Sequence, residues 1–156
     1  MTKVAQIANY APSSTGLKRV GAIPYDPEHW AFTPISEQES IGPSSAAAQS
    51  LASRDNTKLI IAPALDLIKV LAPGQKDSQG YLALDIAGEV APHACAIDIQ
   101  AQALEANPIE YTSFVRQAAT QAFKANSSIV IFAGLSTNPS GHRVTATELF
   151  QDVQST

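Results

Sequence analysis

Acidic and amide side chains gather just after apolar runs in this chain, and those residue types suit acid–base chemistry. Asp26 and Glu28 follow the run Arg19–Tyr25, and Asp66 follows Leu59–Leu65. Asp98, Gln100 and Gln102 alternate along the run that begins at Ala94, and Ser136, Thr137 and Asn138 close the run Ile129–Leu135. Two carboxyl groups about 5–9 Å apart are the apparatus of glycoside hydrolysis, one as acid and the other as nucleophile or base. Neighbouring strands lie about 4.8 Å apart, so carboxyls on adjacent strand ends fall in that range. Glu28 is the candidate acid/base, with Asp26 and Asp98 as the other catalytic carboxyls. Trp30 can stack on a sugar face, while Asp66, Gln100, Gln102 and Ser136 can hydrogen-bond its hydroxyls. The same carboxylates also suit Mg²⁺ or Ca²⁺, which take oxygen ligands. A plainer reading stands beside both: Asp26 and Asp66 are good turn or cap residues.

The remaining reactive types are sparse. His29, His93 and His142 make no i, i+4 pair, so no zinc site is expected. Cys95 is alone, which excludes an internal disulfide and a thiolate metal cage, and it reads as a buried, inert thiol. The stretch Gly134–Gly141 is rich in hydroxyls but lacks the phosphate-loop and nucleophile-elbow patterns, so it reads as a turn. No cofactor is expected.

The net charge is −4 and no Lys/Arg cluster stands out, so no nucleic-acid partner is expected. No apolar run approaches the roughly 20 residues of a membrane span, so no membrane partner is expected either. Met1-Thr2-Lys3 lacks the apolar core of a secretory signal. The expected location is cytoplasmic, or secreted if a signal peptide has been removed. A small-molecule or glycan ligand is the expected partner.

The elements that must position these groups recur with a rhythm. The apolar runs return at roughly 35-residue intervals, and a strand–helix–strand unit takes about 30 residues or more. Strands are predicted at Val4–Tyr10, Arg19–Tyr25, Leu59–Leu65, Ala94–Ile99 and Ile129–Leu135. Helices are predicted after Thr33-Pro34, over Ser44–Arg54, over Tyr81–Val90, from Pro108 and over Ala146–Val153; Gln75–Gly80 reads as a polar loop. Asn107 caps the helix from Pro108, and Tyr111, Phe114, Val115, Ala118, Ala122 and Phe123 form its apolar stripe. Thr145 and Glu148 match a capping box.

These parallel βα units make one α/β domain over residues 1–156, forming a partial or small TIM-barrel-like sheet, or alternatively an open doubly wound sheet. A complete barrel takes about 250 residues, so eight units do not fit. Side chains alternate faces along a strand, which would put Asp98, Gln100 and Gln102 together on one side. A dry, helix-covered face tolerates them poorly, whereas a wet barrel mouth accepts them. Otherwise the strand ends near Asp98 and the glutamines lie in a loop.

Longer patterns carry a resemblance. Tyr25-Asp26-Pro27-Glu28-x-Trp30-x-x-Thr33-Pro34-x-x-Glu37-Gln38, Ala62-Pro63-Ala64-x-Asp66-Leu67, Ile99-Gln100-Ala101-Gln102 and Gly134-Leu135-Ser136-Thr137-Asn138-Pro139 look like a bacterial TIM-barrel, glycosidase-like family with no established activity. The resemblance spans Tyr25 to the final helix and bears on fold more than on function. That family's pattern continues into a further strand, so this sequence is either a shortened member or a truncated one; a strand missing from a barrel leaves an open sheet edge, and self-association as a homodimer is then expected. The fourth strand is also similar to the Asp-x-Asp-x-Glu run of chitinase-like barrels, with Gln100 and Gln102 in place of acids. An amide binds a hydroxyl but delivers no proton at neutral pH, so the site would be a binder, or the acid's role would pass to Glu28 or Glu105.

The leading expectation is therefore a glycoside-hydrolase-like protein that binds a carbohydrate-like ligand at the strand C-terminal ends. The alternatives are a non-catalytic structural or interaction protein assembling as a homo-oligomer, and a Mg/Ca-dependent enzyme using the strand-end carboxylates.

Overall fold

The computed structural model describes residues 1–8, 21–138 and 143–156. Among them run four strands, β1 (Ala22–Tyr25), β2 (Lys58–Ile61), β3 (Ala96–Gln100) and β4 (Val130–Gly134). All pairings are parallel and the order is β1-β2-β3-β4. The strand order never reverses, so the sheet lacks the switch point of a doubly wound fold. Right-handed crossovers between successive neighbours carry every connection to the same side.

The burial pattern agrees with this one-sided winding. Ile23, Tyr25, Leu59, Ile61, Ile97 and Ile99 point to one face and are all buried. Against that face lie α1 (Val4–Ala8), α3 (Ile41–Arg54), α6 (Ile86–Val90) and α7 (Pro108–Ala125). The opposite face shows Pro24 and Val130 exposed and Ile60, Asp98 and Gln100 half-buried, with Phe132 49 % exposed. α2 (Ile35–Gln38), α4 (Ile68–Leu71) and α5 (Asp77–Ala83) fill the connections, and α8 (Ala146–Ser155) packs on α7.

The two sheet edges differ. The Met1 amino group donates to the Pro24 carbonyl at 2.9 Å, and the Asp26 N–H donates to the Met1 carbonyl at 2.8 Å. Met1 thus lies along the outer edge of β1, where Pro24 has no N–H to offer. On β4 the Val130 N–H donates to Cys95 O on the inner side. Ile131 and Ala133 therefore turn their backbone groups outward, where no strand among the described residues pairs with them.

Several elements depart from expectation. Val4–Ala8 is a helix rather than a strand, and residues 9 and 10 lie outside the described set. Val4 and Ile7 share a helical face, Ile7 is fully buried, and Glu37 accepts the Val4 N–H at 3.0 Å. Tyr81–Val90 is broken: Asp85 takes the left-handed conformation (φ 54°) between α5 and α6. Gln75–Gly80 is partly helical, because α5 begins at Asp77. β3 stops at Gln100, and Gln102 opens a short 3-10 turn that runs to Leu104. Phe123 leaves the stripe of α7 and is 56 % exposed. Cys95 is half-buried rather than buried.

The terminal signals behave as read. The Asn107 side chain accepts the Glu110 N–H at 3.2 Å at the start of α7. Thr145 and Glu148 close both halves of a capping box on α8.

Candidate functional site

Strand register assembles the candidate site. Tyr25 pairs with Ile61, and Ile61 with Ile97. One residue further on, Asp26, Ala62 and Asp98 form a row on the face opposite the packed helices. Ala62 is small and leaves a gap between the two acids. Gln100, one pleat beyond Asp98, donates from Nε2 to Asp26 Oδ1 at 3.1 Å across that gap.

Glu28 joins the row from the loop after β1. Its backbone N–H donates to Thr33 Oγ1 at 3.2 Å, and Trp30 Nε1 donates to the same oxygen at 3.0 Å. Gln38 fixes this loop from α2, donating from Nε2 to the carbonyls of Trp30 (3.0 Å) and Thr33 (2.7 Å). Its Oε1 lies 3.0 Å from His29 Nδ1. Thr33 and Gln38 are buried polar residues whose hydrogen bonds are met inside the loop, and this stiffens it.

The electrostatics centre on one proton. Burial pushes the Glu28 carboxyl up to about 7, aided by the charge of Asp26, its hydrogen bond to Asp26 and the charge of Asp66. Burial also raises Asp26, against the lowering effect of hydrogen bonds from Glu28 and Gln100. Asp98 is raised by burial and then by the charge of Asp26. Glu28 and Asp26 therefore share a proton up to about neutral pH.

Trp30 and Phe32 make an aromatic shelf beside Glu28, with ring centroids 5.1 Å apart edge to face. Phe32 is 67 % exposed and Trp30 41 %. Phe32, Thr33, Gln38 and Ala62 escape a sequence search for reactive groups, since they serve by shape and hydrogen bonding. All but Phe32 nevertheless fall inside the patterns that carried the family resemblance.

The other expected residues divide. Asp66 reaches the same loop, where its Oδ1 accepts the His29 N–H at 3.0 Å, so its role is to hold the backbone. Gln102 lies off the strand but still beside Asp98. A Cβ on Gly134 would sit 3.0 Å from Gln102 Nε2 and 3.3 Å from Asp98 Oδ1, so Gly134 keeps space for both. Ser136 is tied elsewhere: its N–H donates to Glu105 Oε1 at 2.8 Å, and its hydroxyl accepts the Asn138 N–H at 3.1 Å.

Asp26, Glu28 and Asp98 are each partly exposed. A groove of about 1000 Å³ lies between α7 and α8, lined by Ile109, Arg116, Gln151 and neighbours, and includes none of these carboxylates. Among the described residues no group of three or more His, Cys, Asp or Glu is placed to hold a metal ion. Among them too, no helix is long and apolar enough to cross a membrane. No family model, no curated protein and no solved structure matches the chain.

Proposed function

We propose that the strand C-terminal ends bind a carbohydrate-like ligand and that Glu28 serves as its acid. The observation that carries this is the Glu28 carboxyl, pushed up to about 7 beside the Trp30–Phe32 shelf. A general acid works best with a pKa near the operating pH. The exposed rings, set edge to face, offer apolar contact to a sugar ring, and Gln100 and Gln102 offer amides for its hydroxyls.

Asp98 is the better second carboxyl. Asp26 hydrogen-bonds Glu28, which leaves no room for a glycosidic bond between them. Asp98 stands two strands from Asp26, about 9–10 Å between backbones. Inverting hydrolysis needs about 6.5–9.5 Å between the two carboxyls, so that a water has room opposite the acid. Glu28 would protonate the leaving oxygen and Asp98 would activate the water. E28Q and D98N, assayed with wild type on a panel of chromogenic glycosides, test the chemistry. A wild-type protein that cleaves none of them, with no melting shift in any sugar, would sink this reading.

A second reading is favoured by the bare sheet face and the open β4 edge. There the chain is an interaction protein that pairs with a second copy and buries Val130 and Phe132, which are 52 % and 49 % exposed. Exposed apolar edge strands recruit further strands. Light scattering over a concentration series decides it, because a monomer at every concentration excludes self-pairing.

A further inference from the structure

A second acidic pair lies apart from the surface row and is enclosed by protein. Glu105 follows the 3-10 turn after β3, and Asp152 sits on α8. Both residues are 0 % exposed. Glu105 Oε1 accepts the Ser136 N–H, but Glu105 Oε2 and both Asp152 carboxylate oxygens have no hydrogen-bond partner. A buried carboxylate without a partner costs several kcal/mol in its charged form, on the order of the ion-burial penalty.

Among the described residues, no cation pairs with either carboxyl. Asp152 lies close enough to raise Glu105, and Glu148 of the same helix raises Asp152, in each case after burial itself. From α7, Tyr111 faces Glu105, Asp152 and Asp98, and its hydroxyl donates to the Gly134 carbonyl at 3.3 Å. Arg116, the nearest cation named on α7, is spent outside on the Ser155 carbonyl at 2.7 Å. A divalent ion takes about six or more oxygen ligands, and two carboxyls among apolar neighbours fall short of that.

We propose that Glu105 and Asp152 form a proton-gated latch: while protonated, the pair seats α8 against the end of β3, and loss of the protons releases the helix. The other side-chain ties of α8 to α7 sit at its exposed C-terminal end, where Ser155 meets Thr112 (2.6 Å) and Arg116. The latch is independent of the carbohydrate reading, since neither carboxyl belongs to the surface row.

The sign follows from linkage. Both carboxyls are raised in the folded chain, so their support is complete below the ordinary carboxyl range, about 4. It is lost as pH climbs through the folded values. Hydrogen exchange of residues 146–155, read by mass spectrometry in the full chain with α3 as internal reference, tests it. Expected in wild type is an opening of α8 that grows relative to α3 between pH 5 and 8, by up to about tenfold per pH unit for each proton released. D152N and E105Q should each weaken that growth. Protection of wild-type α8 that tracks α3 at every pH overturns the latch, whether or not the variants fold. So does protection at pH 8 restored by millimolar Ca²⁺ or Mg²⁺ in wild type but not in D152N, which would make the pair a cation site.

Discussion

Asp26 with Glu28, and Glu105 with Asp152, are two pairs of carboxyls in one small chain, and they are solvated in opposite ways. The first pair is half-buried and well supplied: Glu28 bonds Asp26, and Gln100 donates to Asp26. The second is fully buried and nearly partnerless. Both are raised, with burial as the leading cause in each. The consequences differ because only one proton is within reach of a ligand. A proton on an open surface can be passed on, whereas a proton inside a packed junction serves only to keep that junction neutral.

Four substitutions would break or sharpen this contrast. The largest effect is expected at Gln38, which has no charge and yet holds the open pair in place. Q38A removes two buried hydrogen bonds to the carbonyls of Trp30 and Thr33 and should cost about 3 kcal/mol in urea unfolding. A loss below 0.5 kcal/mol, as an order-of-magnitude threshold, would mean the Glu28 loop is held by other means. Next comes D152L, which replaces a buried unpaired acid by an apolar side chain. It should stabilise the fold by about 2 kcal/mol at pH 8 and by less at pH 5. Equal effects at both pH values would show that Asp152 carries no charge at either.

The third concerns Glu28. Its folded value, about 7, lies above that of the unfolded chain, so its contribution is full below about 4.3 and is lost as pH rises to about 7. E28Q should flatten the stability profile across that window by about 1 kcal/mol, after allowing for solvent screening of a half-exposed group. A profile unchanged from wild type would remove the raised carboxyl. The smallest is G134A, whose new methyl meets flexible side-chain ends at 3.0 and 3.3 Å. It should cost about 0.5 kcal/mol while displacing Gln102 from Asp98, visible as a changed pH titration of Asp98 by NMR.

The two pairs were unequally legible in the sequence. The open one follows directly from position: Asp26, Asp98 and Gln100 stand at or just after apolar runs, and parallel register aligns such ends. The Asn107-Pro108 start of α7 and the capping box of α8 are local signals, and they survive because the groups they satisfy lie within a few residues. Asp152 carries no such signal. It sits in a helix whose neighbours Gln151 and Val153 are exposed, and only the packing of α8 decides that this acid faces inward. The same limit hides Thr33 and Gln38, whose burial depends on a loop folding back on itself. α1 was misread because a segment this short shows neither period clearly, and its docking on α3 decides the matter. The break at Asp85 needs a left-handed non-glycine residue, which is uncommon even for Asp, one of the residues that tolerate it best.

The unequal edges of the sheet set a stoichiometry. Pro24 and Met1 occupy the outer side of β1, and among the described residues no strand pairs with the outer side of β4. In the vocabulary of polymer chemistry, such a molecule is monofunctional. A unit with two reactive ends propagates into a filament, whereas a unit with one can only terminate. Strand addition at β4 would therefore end at a two-fold pair, with an eight-stranded sheet blunted at both rims by Pro24 and Met1.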